Sequence, residues 1–275
     1  MDSSRILIVA PAWIGDLIIS LAFLSALKKI HKNSKIDLLV NENLFDLAKH
    51  FPGISNLIKS RTEHGKLSLL YRIRLGLQLR KNHYTDCYIL TNSFKSSIIP
   101  FIAKIKNRIS YLGEFRYGLL NDIRKLDPTK NHLMVEKFVS LSLQDNNYSL
   151  ESLDFPSLTI DLVNQKIVLS KLSIDSSLRS LAICPGAEFG PAKKWPPEYY
   201  AEVARAYIDR GWNILCLGSP NDQETGEKIE SFHDLNKETK FYNLIGKTSL
   251  KDAIDILGLC DRVVTNDSGL MHIAA

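Results

Sequence analysis

Apolar residues fall into short runs separated by polar turns, and the runs alternate between two lengths. RILIVA (5–10) is a strand-length run, the stretch from Asp16 to about Ile30 is long enough for a helix, and KIDLLV (35–40) is strand-length again. This is βαβ rhythm. It predicts further strands at TDCYILT (85–91) and RISYL (108–112), with helices near Leu44–His50, Phe94–Lys104 and His132–Leu143. Strands joined by helices imply a parallel sheet covered on both faces. From Asp145 to Asp175 the pattern weakens into a Ser/Asp/Asn-rich stretch containing DFPSL and DSS, expected to be an interdomain connection. The rhythm then restarts with SLAICP (180–185), a helix over Pro197–Arg210, NILCLG (213–218), a helix from Asp222, FYNLIG (241–246), a helix over Leu250–Leu257 and RVVTN (262–266). The expected fold is α/β, with two Rossmann-like domains, 1–165 and 175–275, whose parallel sheets face a central cleft.

One segment carries two patterns. Ile73–Leu79 alternates like a strand, but Lys66–Lys81 has the length and spacing of a basic amphipathic helix, and a helix is predicted. On it, Arg72, Arg74, Arg80 and Lys81 are expected either to face lipid phosphates or to form an ordinary solvated face. The charge distribution adds weight to an anionic partner. Residues 1–150 hold 22 Lys and Arg against 12 Asp and Glu, whereas residues 151–275 hold 13 against 18. Such a basic half concentrates anionic substrates or rests near an anionic leaflet, or serves solubility alone. No basic-aromatic strand pair and no zinc spacing is present, so nucleic acid is not an expected partner. No apolar run reaches the roughly 18 residues of a membrane span, and MDSSR leads straight into the first strand, so a cytoplasmic protein is expected. Cys87, Cys184, Cys216 and Cys260 are well separated and form no CxxC pair, which points to reduced thiols.

Candidate chemistry gathers after the strands. In PAWIGDLI, Gly15 is expected to allow a tight strand-to-helix turn, and Asp16 stands at the helix start, where open α/β sheets place ligands. Asp16 is there either a base for a hydroxyl or an N-cap. TNSFKSS (91–97) offers Asn92, Ser93 and Lys95 after a strand; a lysine at a helix start opposes the macrodipole and makes sense beside an anion. In CPGAEFGPAKKWP, Lys193 and Lys194 precede a helix with Pro in its first turn, suiting them to a diphosphate leaving group or to plain solvation. Asp267, Ser268 and Gly269 follow RVVTN in a turn whose amides suit a phosphate, and His272 is either a phosphate donor or a core-facing residue.

Six ordered pieces, PAWIGDLI, TNSFKS, PGAEFGPAKKWP, LGSPND, IGKTSL and TNDSGLMHIAA, cover nearly the whole chain and resemble the ADP-heptose:lipopolysaccharide heptosyltransferases, glycosyltransferase family 9. PGAEFGPAKKWP is most similar to the branch that adds the second heptose. The resemblance implies a GT-B fold, with an acceptor-binding N-domain and a donor-binding C-domain. It implies inverting transfer of L-glycero-D-manno-heptose from ADP-heptose to heptosyl-Kdo2-lipid A, with no required metal and no cofactor beyond that donor substrate. Peripheral contact with the cytoplasmic leaflet of the inner membrane goes with it. By this resemblance Asp16 is the catalytic base, and Lys193, with Lys194 as the alternative, meets the diphosphate. Asp267, Ser268, Gly269, Leu270 and His272 lie under the diphosphate and donor sugar, Thr248 lies near the adenine, and Asp222 or Glu224 meets the ribose. Gly15, Asn92, Ser93 and Lys95 fall on the acceptor side. Family members run on past the MHIAA helix, so the sequence is expected to be a fragment or a truncated reading frame. A related transferase with another heptose acceptor or sugar nucleotide, and a truncated product that binds nucleotide without transferring sugar, remain open as alternatives.

Overall fold

The computed structural model describes residues 4–62, 65–127, 129, 132–143, 155–187 and 190–275. The chain divides into two compact units, Met1–Leu158 and Thr159–Ala275.

The first unit contains β1 (Arg5–Val9), α1 (Ile14–Ile30), β2 (Lys35–Asn41), α2 (Phe45–Ala48), β3 (Asn56–Ser60), α3 (Leu69–Leu79), β4 (Asp86–Ile89), α4 (Ile98–Ile102), β5 (Asn107–Tyr111), β6 (Asp122–Arg124) and α5 (Met134–Ser142). Its six strands are parallel in the order β3-β2-β1-β4-β5-β6. The uninterrupted apolar run of β1 marks a central strand, and Ile6, Leu7 and Ile8 are buried. Leu7, Val9, Cys87 and Ile89 pack against Leu75 and Leu79 of α3 and Ile99 of α4. Leu17, Leu21, Leu24 and Leu27 of α1 are also buried, and α1 packs on α5.

The second unit contains α6 (Leu162–Lys171), β7 (Ser180–Cys184), α7 (Pro197–Ile208), β8 (Asn213–Cys216), α8 (Gln223–Ser231), β9 (Phe241–Asn243), α9 (Leu250–Leu257), β10 (Arg262–Thr265) and α10 (Gly269–Ala274). Its four strands are parallel in the order β10-β7-β8-β9. Leu181, Ile183, Ile214 and Cys216 meet Tyr200, Ala201 and Ala204 of α7 and Ile229 of α8. The alternate strand residues Ala182, Cys184 and Leu215 meet Val168 and Leu169 of α6 and Ile256 and Leu257 of α9.

The α/β layering matches the sequence expectation, with three differences. β3 and the three-residue β6 have too little apolar periodicity to stand out. The expected helix over Phe94–Lys104 is a 3-10 turn, Phe94–Ser97, leading into α4. The stretch expected to connect domains from Asp145 to Asp175 contains α6, so the second unit begins at Thr159; residues 145–154 of that stretch lie outside the described residues. Only Val168 and Leu169 of α6 are buried, while Leu162, Val163 and Ile167 are exposed, which blurs the helical period.

Polar bonds fix α6 to the second core instead. Fully buried Asp255 on α9 accepts the Asp161 backbone N–H at 2.9 Å and the Asn164 amide at 2.7 Å. Asp161 in turn caps α6 by accepting the Asn164 N–H at 3.0 Å. Cys87, Cys184 and Cys216 are buried free thiols and Cys260 is half-buried; burial pushes the Cys184 thiol up to about 12. Asp255→Ala removes the acceptor of the half-buried Asp161 N–H and leaves the Asn164 amide only its 3.1 Å bond to Asp252, and the expected result in urea unfolding is a loss of about 1–3 kcal/mol. A change below about 0.5 kcal/mol would show that α6 is not held by this carboxylate.

Candidate functional site

Both sheets reverse strand order at the same place. In the first unit the chain moves outward from β1 through β2 and β3, then returns to lay β4 on the other side of β1. In the second it moves from β7 through β8 and β9, then returns to lay β10 on the other side of β7. A parallel sheet that reverses in this way leaves a crevice at the carboxyl ends of the two flanking strands, because the loops on either side of it lead to opposite faces. The motifs after β1, β4, β7 and β10 stand at these two points, and LGSPND and IGKTSL follow β8 and β9.

In the first unit the loops after β1, β2, β3 and β4 line a cavity of about 550 Å³. Its wall includes Pro11 to Trp13, Asn41 to Asn43, Ser60 to Thr62, Thr91, Ser93, Lys95 and Ser96, with Arg72 entering from α3. Asp16 is the third residue of α1 and is half-buried; Trp13 precedes the helix with extended backbone, so Asp16 is not the N-cap. Gly15 is the second helical residue and its φ is not positive, so the tight-turn expectation does not explain it. Neither lines the cavity, whose wall along this segment ends at Trp13.

Among the described residues, three cations, Arg61, Arg72 and Lys95, line the cavity with one acid, Glu42, which lies 3.7 Å from Arg61. Arg72 corrects a sequence expectation. It is buried, its Nε donates to the Leu67 carbonyl at 2.7 Å and its guanidinium donates to the Lys95 carbonyl at 3.0 Å, so it faces the cavity region and not lipid. Burial pushes its pKa down.

Arg116 was invisible to sequence reasoning and organises the loop that carries Asn92, Ser93 and Lys95. It is fully buried and donates to the Thr91 carbonyl at 2.8 Å, Ser97 Oγ at 3.2 Å, Ser110 Oγ at 2.9 Å and the Tyr111 carbonyl, with a long contact of 3.4 Å to Asn92 Oδ1. These bonds also hold the turn in which Glu114 and Phe115 take left-handed φ values of 42° and 50°. Asn92 is exposed; Ser93 and Lys95 are half-buried in the cavity wall.

In the second unit the two motif loops are joined by Asn266. Its Oδ1 accepts the Trp195 backbone N–H at 3.1 Å and the Tyr200 hydroxyl at 2.8 Å, and its amide donates to the Pro185 carbonyl at 2.7 Å. This buried side chain pins both ends of the 185–195 segment to the end of β10; residues 188–189 of that motif lie outside the described residues. Exposed Lys193 then pairs with Asp267 at 2.5 Å, which holds the Asp267 carboxyl below the usual range, with a smaller contribution from His272. Exposed Glu224 pairs with Lys228 at 2.6 Å and also feels Lys194. Lys193, Asp267 and His272 therefore form one group, and Lys194 and Glu224 another.

Two donor-side expectations change. Asp222 is buried and caps its own turn, accepting the Ser219 N–H at 3.0 Å and hydroxyl at 2.7 Å; a Cβ at Gly186 would lie 2.6 Å from its Oδ2. It is a support for the 185–195 loop, with its Oδ2 held by Ser219. Leu270 packs on the apolar cluster of α6 and α9, so it serves the core. Thr248 is half-buried in the loop before α9, while Ser268 and Gly269 are half-buried where α10 starts.

Known proteins resemble this chain in sequence and in fold. The profile of glycosyltransferase family 9 (heptosyltransferase) matches residues 72–275. Lipopolysaccharide heptosyltransferase 2 of Salmonella typhimurium is 37% identical over 98% of this chain and 79% of that protein. Its Escherichia coli K12 counterpart is 36% identical with the same coverage. Among solved structures, the E. coli ADP-heptose lps heptosyltransferase II matches with a TM-score of 0.89 at 34% identity, covering 98% of this chain and 81% of that one. A family 9 glycosyltransferase from Veillonella parvula, 20% identical, shares the fold with a TM-score of 0.82, covering 99% of this chain and 78% of that one. The α/β fold is that of a GT-B enzyme, and the chain belongs to glycosyltransferase family 9, the heptosyltransferases.

Proposed function

We propose that this chain transfers L-glycero-D-manno-heptose from ADP-heptose to the first heptose of heptosyl-Kdo2-lipid A in the lipopolysaccharide inner core. The observation that carries the reading is the pair of lysine-bearing loop clusters, one at each strand-order reversal, on a chain 37% identical to a heptosyltransferase 2. The acceptor enters the first unit and the donor the second. Ser93 and Lys95 in the cavity wall, with Asn92 beside them, suit a hydroxyl-rich anionic acceptor. Arg61 and Arg72 join them there, beyond the residues that sequence motifs picked out.

The reaction is a single displacement. The acceptor hydroxyl oxygen attacks the anomeric carbon, the carbon–oxygen bond to the diphosphate breaks, ADP departs with the electron pair, and Asp16 takes the hydroxyl proton. An inverted linkage results. Lys193 exchanges its Asp267 partner for the diphosphate, whose charge rises as the bond breaks, and Lys194 lies close enough in sequence to share it. Ser268 and Gly269 border the diphosphate, His272 donates to it, Thr248 borders the adenine, and Glu224 is left to meet the ribose. No metal or cofactor is required in this scheme. The site of action is the cytoplasmic face of the inner membrane, where the protein binds peripherally; among the described residues no helix is long and apolar enough to cross a membrane.

An ADP-release assay with ADP-heptose and heptosyl-Kdo2-lipid A tests the assignment. Asp16→Ala is expected to cut turnover by about 10²- to 10⁴-fold while ADP affinity stays within about threefold. Retained turnover, or a collapse of ADP binding, would remove the role of base. Transfer from UDP- or GDP-sugars in preference to ADP-heptose would favour a related transferase of different donor. Lys193→Ala is expected to weaken ADP about tenfold or more and leave adenosine nearly unchanged, because the lost bonds are charge-assisted contacts to phosphate. Equal losses for both ligands would contradict the phosphate contact.

A further inference from the structure

The geometry points to the outward face of α3 as a docking surface for an anionic lipid bilayer, placed so that a lipid-linked acceptor is held at the cavity that Arg72 enters. This rests on the reading that the acceptor is lipid-linked.

α3 is amphipathic in an unusual sense. At 100° per residue, Leu70, Arg74 and Leu77 fall within about 60° of one another, while Arg72, Leu75 and Leu79 lie on the opposite side. The second set is buried against the sheet and α4. The first set faces out: Leu70 is 73% exposed, Leu77 is 49% exposed, and Arg74 is exposed between them. Leu67 and Leu69 extend the apolar surface at one end, and exposed Lys81 continues the stripe at the other. Rolling the helix cannot hide these leucines. At Gly76 the contact is so close that a Cβ would lie 2.7 Å from Ile102 Cβ, so the orientation of α3 is fixed by its packing on α4. α4 adds exposed Phe101 beside that contact.

The charge of the surface selects the occupant. Between Gly65 and Thr85 there is no acidic residue, and Lys66, Arg74, Arg80 and Lys81 are exposed among the leucines. Leucines that enter the headgroup boundary, flanked by cations that meet lipid phosphate, are what a helix lying in an anionic interface needs. A water-facing helix has no use for Leu70 and Leu77 in the middle of its outer face.

Position relative to the cavity gives the surface its use. Arg72 stands two residues after Leu70, at nearly the same height along the helix axis, and lines the cavity on the opposite side, across the roughly 10 Å width of one helix. The hydroxyl of Tyr71 accepts the Arg61 backbone N–H at 2.9 Å, tying α3 to another cation of the cavity wall. A lipid anchored against the outer face of α3 therefore has its headgroup sugars within reach of Arg61, Arg72 and Lys95.

Co-sedimentation with vesicles rich in phosphatidylglycerol, against vesicles of phosphatidylcholine alone, tests the proposal. The wild-type chain is expected to bind the anionic vesicles, to be released by salt, and to bind neutral vesicles weakly. Leu70→Gln with Leu77→Gln, and separately Arg74→Glu with Lys81→Glu, are expected to lower the partition coefficient about tenfold or more with melting temperature unchanged. The same variants should lose transfer to vesicle-embedded acceptor and keep transfer to a deacylated, soluble one. Wild-type failure to bind anionic vesicles, equal binding to neutral ones, or full binding by both variants would overturn the assignment. So would a dimer that Leu70→Gln dissolves, which would give the face to a second copy of the chain. Vesicle binding lost in the variants, without transfer to any acceptor by the wild type, would uphold the surface and defeat the heptosyltransferase reading instead.

Discussion

Positive charge that is buried but not cancelled is the constraint around which the first unit is arranged. A guanidinium taken out of water costs several kcal/mol unless its donors find acceptors, and a carboxylate is the usual partner. Arg116 and Arg72 are instead bonded to carbonyls and hydroxyls: Thr91, Ser97, Ser110 and Tyr111 for one, Leu67 and Lys95 for the other. Such acceptors satisfy every terminal guanidinium nitrogen of Arg116, though not its buried Nε, and carry no charge of their own to cancel the cation. The field of both arginines therefore reaches the 91–97 loop and the cavity beside it, and favours an anionic ligand there. The same bonds shape the loop, so binding charge and loop geometry have one origin.

The second unit solves a related problem with a neutral side chain. The segment after β7 must pass close to the end of β10 to bring Lys193 to Asp267, and Asn266 supplies acceptor and donor together for that crossing. Its amide has the right valence for the task, since a leucine would leave Trp195 N–H and the Pro185 carbonyl without partners and a carboxylate would lose the donor. Asp222 closes the other side of the loop through its bonds to Ser219 and its contact with Gly186. Lys193 remains exposed and free to trade one anion for another.

The parts legible in the sequence were those with a periodic or chemical signature. The buried runs of β1, β7 and β8 and the switch to helix at α1 and α7 carried the two Rossmann-like units, and the six ordered motifs carried the family. α6 escaped because its stabilisation comes from Asn164 and Asp161 meeting Asp255, more than ninety residues away, and not from an apolar stripe. Arg116 escaped, and Arg72 was expected at a lipid or solvent face, because their burial depends on carbonyls such as those of Thr91 and Lys95, which the sequence does not place beside them. The resemblance offered Asp222 or Glu224 for the ribose, and the motif could not show that Asp222 folds back to cap its own turn.

The central claim is a division of labour between the two strand-order reversals, nucleotide at the second and acceptor at the first. Amide hydrogen exchange on the free chain and on the chain saturated with ADP reads this directly. The account predicts slowed exchange in the loop before α7 and in residues 266–272, with the 91–97 loop unchanged. Protection of the 91–97 loop by ADP, with none at 266–272, would contradict it.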